Sequence, residues 1–81
     1  MFYTVVNSST YAVEVFHSIR AMSMILAKRN EYFFSEHEYA TGAKPITSAH
    51  LEKKIRESTE QIRLFRKGTR DWDYTIQKHL P

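Results

Sequence analysis

The sequence predicts a small α+β domain, a two-layer sandwich in which two helices pack on one face of a short sheet. The observations that predict it are the strand-like ends of the chain and two internal segments, 11–29 and 47–67, with the apolar spacing of amphipathic helices. The predicted order is β-α-(β or irregular)-α-β, and the 81 residues, 1–81, form a single domain.

The composition is typical of a folded protein with a small core. The chain is 42% hydrophobic, which is enough to fold, although a domain of this size buries only about 60% of its unfolded surface. Because such a core leaves little stability in reserve, a homodimer is one of the states we consider. The absence of cysteine excludes a disulfide scaffold and thiolate metal sites, and it fits a reducing compartment.

The sequence predicts a cytoplasmic protein that does not enter a membrane. Its longest apolar run, residues 22–27, is far shorter than the ~20 residues that cross a bilayer. No basic segment precedes an apolar stretch near the N-terminus, so we expect no secretory signal. The size, the lack of cysteine and the strand-helix start are typical of small accessory proteins of phages or plasmids. A viral protein of this kind would act in the host cytoplasm.

The first strand is predicted at Phe2–Val6, which is rich in β-branched and aromatic residues. From Ala12 to Leu26 the apolar positions recur with a helical period, which favours one helix over residues 11–29.

An alternative exists for the start of this helix. Residues 11–16 also alternate in polarity, and residues 7–10 have the composition of a hairpin loop. On that interpretation a shorter helix begins near Ser18. We favour the longer helix because its period continues unbroken to Leu26.

Residues 30–46 have the weakest pattern. Residues 31–34 fit either a strand or a last helical turn, and residues 35–40 are ambiguous. Residues 41–45 are predicted as a loop because they end in Pro45, which disfavours helix at the preceding residue. The aromatic side chains of this segment are expected chiefly in the core: Tyr32, Phe33, Phe34 and Tyr39.

The best-supported helix is predicted to begin after Thr47 and to end at Gly68. Its apolar or small residues recur at intervals of four, three, four and three, which places on one stripe Leu51, Ile55, Ser58, Ile62 and Phe65. The hydroxyl of Thr47 is suited to cap the first turn, with Ile46 and Leu51 as a hydrophobic staple. Gly68 is suited to the left-handed residue that ends a helix.

The last strand is predicted at residues 72–79, which alternate in polarity. Trp72, Tyr74 and Ile76 are expected on its buried face. Because Phe2–Val6 has a similar composition, we expect the two terminal strands to pair in one sheet, with both helices on its apolar face.

The cations are concentrated in the second half of the chain. Residues 1–40 carry three basic and four acidic side chains, whereas residues 41–81 carry nine basic and five acidic ones. On the predicted helix the arginines project together beside the apolar stripe, and Leu64 lies opposite that stripe as an exposed anchor. The predicted partner-binding residues are Arg56, Arg63, Leu64, Arg66, Lys67 and Arg70.

The alternative interpretation of these cations is an ordinary solvated helix face. Glu52 with Arg56, and Glu60 with Arg63, lie at ion-pairing spacings on a helix. Such exposed pairs contribute only tenths of a kcal/mol each, so they stabilise the helix a little without implying a partner.

The first functional hypothesis is a non-enzymatic protein that docks on a larger macromolecule, above all a protein with an acidic surface, and modulates or inhibits it. Arginine and apolar anchors are the residue types that dominate interfaces.

The second hypothesis is nucleic-acid binding through the same basic patch, which would be weak and salt-sensitive. The third is a self-associating structural module, because the apolar stripe has coiled-coil spacing over about three turns.

Catalysis and metal binding have little support. Glu36, His37 and Glu38 are adjacent, and adjacent side chains do not converge on one point of a helix or strand. Asp71 and Asp73 are compatible with a carboxylate pair, but a turn before a strand explains them equally well. The sequence contains no glycine-rich phosphate loop and no serine elbow motif. We therefore predict no enzyme activity, no cofactor and no metal site.

Overall fold

The helices of this domain lie against a single antiparallel sheet. The structure is a computed structural model that describes residues 1–59 and 61–81. Its elements are β1 (Phe2–Asn7), β2 (Val13–Phe16), α1 (Ile19–Arg29), β3 (Tyr32–Phe33), α2 (Glu36–Ala40), α3 (Ser48–Glu57), β4 (Ile62–Arg66) and β5 (Trp72–His79). The predicted α+β class is confirmed, with additional strands and a third, short helix among the described residues.

The strand order is β2-β1-β5-β4-β3. The terminal strands β1 and β5 are neighbours inside the sheet, with Val5 opposite Ile76 and both side chains buried. The predicted pairing of the two terminal strands is therefore confirmed. Because side chains alternate along a strand, this register places Tyr3 on the same covered face as Val5.

Residues 2–16 form a β-hairpin of the strands β1 and β2. The prediction that the helix over residues 11–29 begins at residue 11 is therefore wrong. The alternative hairpin is confirmed, although its loop is residues 8–12 rather than 7–10. β2 pairs with β1 so that Phe16 lies opposite Tyr3 and packs against the core. The helical period would instead bury Val15, which is 56% exposed on β2. Pairing of residues 13–16 with β1 therefore determined their conformation, and the helical period of their apolar side chains did not.

Helix α1 begins at Ile19, as the hairpin alternative predicts. The Ser18 hydroxyl caps it by accepting a hydrogen bond from the amide of Ala21 at 3.1 Å. The helix then packs on the sheet through the side chains of Ile19, Met22, Ser23 and Leu26.

The hairpin loop contains a residue in a conformation that favours glycine. Tyr11 has a φ of 60° and its side chain is 79% exposed. We expect Tyr11→Gly to raise the free energy of unfolding by about 0.5–1 kcal/mol, because glycine adopts this conformation without a Cβ clash. Urea denaturation followed by circular dichroism measures the change. Tyr11→Ala is the control, since alanine keeps the Cβ; equal effects of the two variants would contradict the explanation.

Helix α3 begins as predicted and ends early. The hydroxyl of Thr47 accepts a hydrogen bond from the amide of His50 at 3.2 Å, and Leu51 and Ile55 are buried. The helix ends at Glu57, so the prediction that it continues to Gly68 is wrong.

Within the second half of the predicted helix, Ile62–Arg66 form strand β4. Ile62 fits both a period of 3.6 and a period of 2, so the local pattern does not separate helix from strand. As a strand, the segment places Ile62 and Leu64 together in the core, where they are 7% and 0% exposed. Gly68 is left-handed as predicted, with a φ of +84°, but it lies in the turn between β4 and β5. The predicted pairing of Glu60 with Arg63 lies outside the described residues.

The segment 30–46 contains β3 and α2. Tyr32 and Phe33 form the edge strand β3, opposite Arg66 and Phe65 of β4. The amide of Ile46 donates to the carbonyl of Tyr32 at 2.8 Å, which ties the loop before α3 to this edge. Burial, with a smaller contribution from neighbouring Tyr74, raises the pKa of Tyr32 to about 12.

A β-bulge in β5 changes the orientation of Trp72. Leu64 lies opposite Tyr74, but the next residue, Phe65, lies opposite Trp72, so Asp73 is the extra residue. Tyr74 and Ile76 share the covered face as predicted. The prediction that Trp72 joins them is wrong, because the bulge places Trp72 with Phe65 on the other face of the sheet.

The core lies between the sheet and the helices α1 and α3. Its buried side chains are Tyr3, Val5, Ile19, Met22, Leu26, Tyr32, Ile46, Leu51, Ile55, Ile62, Leu64 and Ile76. Within residues 1–59 and 61–81, every helix is too short or too polar to cross a membrane.

Candidate functional site

One face of the sheet has little cover, and we call it the open face. Helices α1 and α3 pack on the opposite face. On the open face, Tyr39 of α2 packs edge-on against Phe33 at 5.5 Å between ring centroids, which covers only the β3 edge. The remaining strand residues of the open face are Phe2, Thr4, Val6, Val13, Val15, Arg63, Phe65, Trp72, Thr75, Gln77 and His79.

Arg63, Phe65 and Trp72 form a contiguous cluster on β4 and β5. The guanidinium carbon of Arg63 lies 4.0 Å from the centroid of the Trp72 ring. The Phe65 and Trp72 rings meet edge to face at 6.3 Å. Stacking of this kind is worth about 0.5–1 kcal/mol at an exposed site. Arg63 is exposed and makes no ion pair with a described residue, so its charge is held in place and uncompensated.

The other half of the open face is apolar. Val13 and Val15 of β2 are 57% and 56% exposed. Phe2 of β1 stacks on the His79 ring at 4.4 Å, and the Nε2 atom of His79 lies 2.8 Å from the hydroxyl of Thr4. The open face therefore combines an apolar strip on β1 and β2 with an arginine–aromatic cluster on β4 and β5.

Carboxylates are absent from the described strand residues of the open face. Glu14 of β2 lies on the covered side, where both its oxygens accept hydrogen bonds from Arg29 at 2.6 and 2.7 Å. These hydrogen bonds lower the pKa of Glu14, so it stays ionised and paired at neutral pH. Asp73 lies in the bulge, with an oxygen 3.7 Å from the Nε atom of Arg66. The electrostatic character of the open face is therefore cationic.

The structure distributes the predicted partner-binding residues over several surfaces. Arg63 is on the open face. Leu64 is fully buried, so the prediction that it is an exposed anchor is wrong. Arg66 pairs with Asp73 at the end of β4. Lys67 and Arg70 are exposed in the following turn.

Arg56 is separate from the other predicted residues. It lies on α3 and forms an ion pair with Glu52 at 2.8 Å, as the helix spacing predicts. The six residues therefore do not project from one helix, because consecutive residues of a strand point to opposite faces. Their participation in binding stays a prediction, and Arg63 is the member with the most suitable surroundings.

Sequence reasoning missed Trp72, Val13 and Val15 as surface residues. The alternation of residues 13–16 was a usable signal for the two valines, because it belongs to the hairpin alternative. The orientation of Trp72 depends on the bulge at Asp73, and no local pattern in the sequence indicates that bulge.

A solvent-open groove lies at one end of the open face. Its volume is about 730 Å³, and it is bordered by Phe34, Ser35, Thr59, Gln61, Arg63, Phe65, Gln77 and Lys78. The side-chain amide of Gln61, just before β4, donates to the side-chain oxygen of Gln77 in β5 at 3.1 Å. Both polar side chains and aromatic rings are therefore available to a bound molecule.

Metal ligation has no geometric basis in the part of the chain that the structure describes. No group of three or more His, Asp or Glu side chains there is placed to hold an ion. His37 and its two acidic neighbours are distributed around the five-residue helix α2.

No protein-family model matches the chain, and neither the curated proteins nor the solved structures contain a significant match. Statements about function therefore depend on the residues of this chain alone.

Proposed function

We propose that this chain is a non-enzymatic binding protein that docks through its open face on a larger protein with an acidic surface and modulates or inhibits it. The observation that supports the proposal is the uncovered sheet face, where Arg63 is stacked on Trp72 and has no ion pair with a described residue. We place its activity in the cytoplasm, that of the host if the chain is viral.

The residue types of the open face favour a protein partner. Tryptophan, tyrosine and arginine are the residues that contribute most to protein interfaces, and apolar side chains around them exclude water. Val13 and Val15 supply exposed apolar area beside the arginine–aromatic cluster. A partner that fits this face has an apolar patch bordered by carboxylates, since Arg63 has no acidic neighbour among the described strand residues of the face.

Single-stranded nucleic acid is the second candidate partner. Phe65 and Trp72 are half-buried aromatic side chains on neighbouring strands, and bases stack on such side chains. The exposed valines of β2 are less suited to this partner, because they offer neither a hydrogen bond nor a positive charge.

Site-specific photo-crosslinking in cells tests the docking face. A photo-crosslinking residue in place of Val15 lies on the open face, and we expect it to give a discrete adduct with a protein. The same residue in place of Met24 is the matched control, because Met24 is 44% exposed on α1, away from the open face. We expect no such adduct from position 24.

Three results would contradict the docking proposal. They are the same adduct from both positions, no adduct from position 15, and an adduct that nuclease treatment removes. The third result would favour the nucleic-acid alternative. An adduct whose mass is twice that of the chain would instead identify the partner as a second copy, in agreement with the self-association hypothesis.

A further inference from the structure

The groove beside the arginine–aromatic cluster has features of a small-molecule site. Its volume of about 730 Å³ lies within the range of roughly 300–1,000 Å³ that is usual for ligand pockets. A second depression of about 280 Å³ adjoins it and is bordered by Phe34, Lys54, Ser58, Gln61, Ile62 and Arg63. Phe34, Gln61 and Arg63 border both depressions, and we call the two adjoining depressions together the recess.

Three cations border this recess, and the described contact that positions each of them is not an ion pair. Arg63 lies over Trp72. The ammonium group of Lys54 lies 5.5 Å from the centroid of the Phe34 ring. Lys78 donates to the carbonyl oxygen of Arg56 at 3.4 Å, near the end of α3. None of the three forms an ion pair with a described residue, and no described side chain that borders the recess is acidic.

The recess also offers groups that recognise a planar polar ring. Phe34, which follows β3, and Phe65 of β4 are half-buried and border the groove, so each contributes aromatic surface. The hydrogen-bonded side chains of Gln61 and Gln77 supply amide donors and acceptors beside them. Amide side chains and aromatic rings together are the usual groups that bind a base.

We infer that this recess binds a nucleotide. The phosphates lie among Arg63, Lys54 and Lys78, and the base packs against Phe65 or Phe34 beside the two glutamines. Phosphate oxygens match the guanidinium fork of Arg63 and the ammonium groups of the lysines. This site shares Arg63 and Phe65 with the proposed docking face, but nucleotide binding is a separate function and its test requires no protein partner.

An NMR titration of the whole chain tests the site. The probes are ADP, pyrophosphate, adenosine and a single-stranded oligonucleotide of about ten residues, at roughly 50 and 200 mM salt. We expect ADP to shift the side-chain amide signals of Gln61 and Gln77 saturably, and to bind at least tenfold more tightly than pyrophosphate or adenosine. Tighter binding of the oligonucleotide at the same signals would identify the ligand as a nucleotide within a strand.

Charge-neutralising variants complete the test. Lys54→Gln and Arg63→Gln should each weaken ADP binding about tenfold. Lys28→Gln, on the exposed end of α1, is the matched control and should have no effect. The inference is overturned if no probe gives saturable shifts at low salt, or if pyrophosphate binds as tightly as ADP. It is also overturned if Lys28→Gln weakens binding as much as Lys54→Gln does.

Discussion

Leu64→Ala should lower the free energy of unfolding by about 3 kcal/mol, within the range of about 2–5 kcal/mol for buried leucines. Leu64 is 0% exposed, lies opposite Tyr74 and belongs to the core cluster. The substitution removes apolar contacts and leaves a cavity that a strand inside the sheet cannot easily collapse around. Because small domains have a total stability of only about 5–15 kcal/mol, we expect a large decrease in the urea midpoint.

Leu80→Ala is the matched control for this prediction. Leu80 follows β5 and is 70% exposed, so the same chemical change should alter the free energy of unfolding by less than about 0.5 kcal/mol. If Leu64→Ala had as small an effect as Leu80→Ala, the assignment of residues 62–66 to a buried strand would be wrong. That outcome would instead favour the helix with an exposed Leu64.

Arg63→Glu should reduce binding of the protein partner at least about a hundredfold, which corresponds to roughly 3 kcal/mol. The change reverses the one arginine charge of the open face among the described strand residues, and it removes the guanidinium that stacks on Trp72. The adduct formed from position 15 should disappear, and a pull-down with the purified variant should no longer retain the partner.

Arg20→Glu is the control for charge reversal. Arg20 is exposed in the first turn of α1, away from the open face, and an acidic residue there suits the helix N-terminus. This variant should bind normally. Both variants should keep the wild-type circular dichroism spectrum, because neither side chain is buried. Normal binding by Arg63→Glu, with the fold intact, would contradict the proposed docking face.

The elements that were predicted correctly have sequence patterns that fit only one type of secondary structure. The alternation of residues 72–79 and the β-branched start at Phe2 fit only strands, and both strands are present. Thr47 was predicted as a helix cap from its hydroxyl and the apolar residues that follow. The structure confirms that cap with the hydrogen bond from His50.

The prediction failed where two periods fit the same residues. Residues 11–16 and 58–66 carry apolar side chains that are compatible with either a helix or a strand. The decision depends on whether a partner strand is present outside the segment itself, and the partners are β1 for residues 13–16 and both β5 and β3 for residues 62–66. Hydrogen bonding to a neighbouring strand is a tertiary property, and a local window of sequence does not contain it.

For the candidate site, too, some features were predictable from the local sequence and others were not. Composition and periodicity were sufficient to predict the α+β class, the pairing of the two ends of the chain, and the concentration of cations that includes Arg63. They did not predict that Arg63 and Leu64 point to opposite faces, or that the bulge at Asp73 brings Trp72 under Arg63. Composition and period are local properties, whereas the face on which a strand residue lies depends on its register with other strands of the sheet.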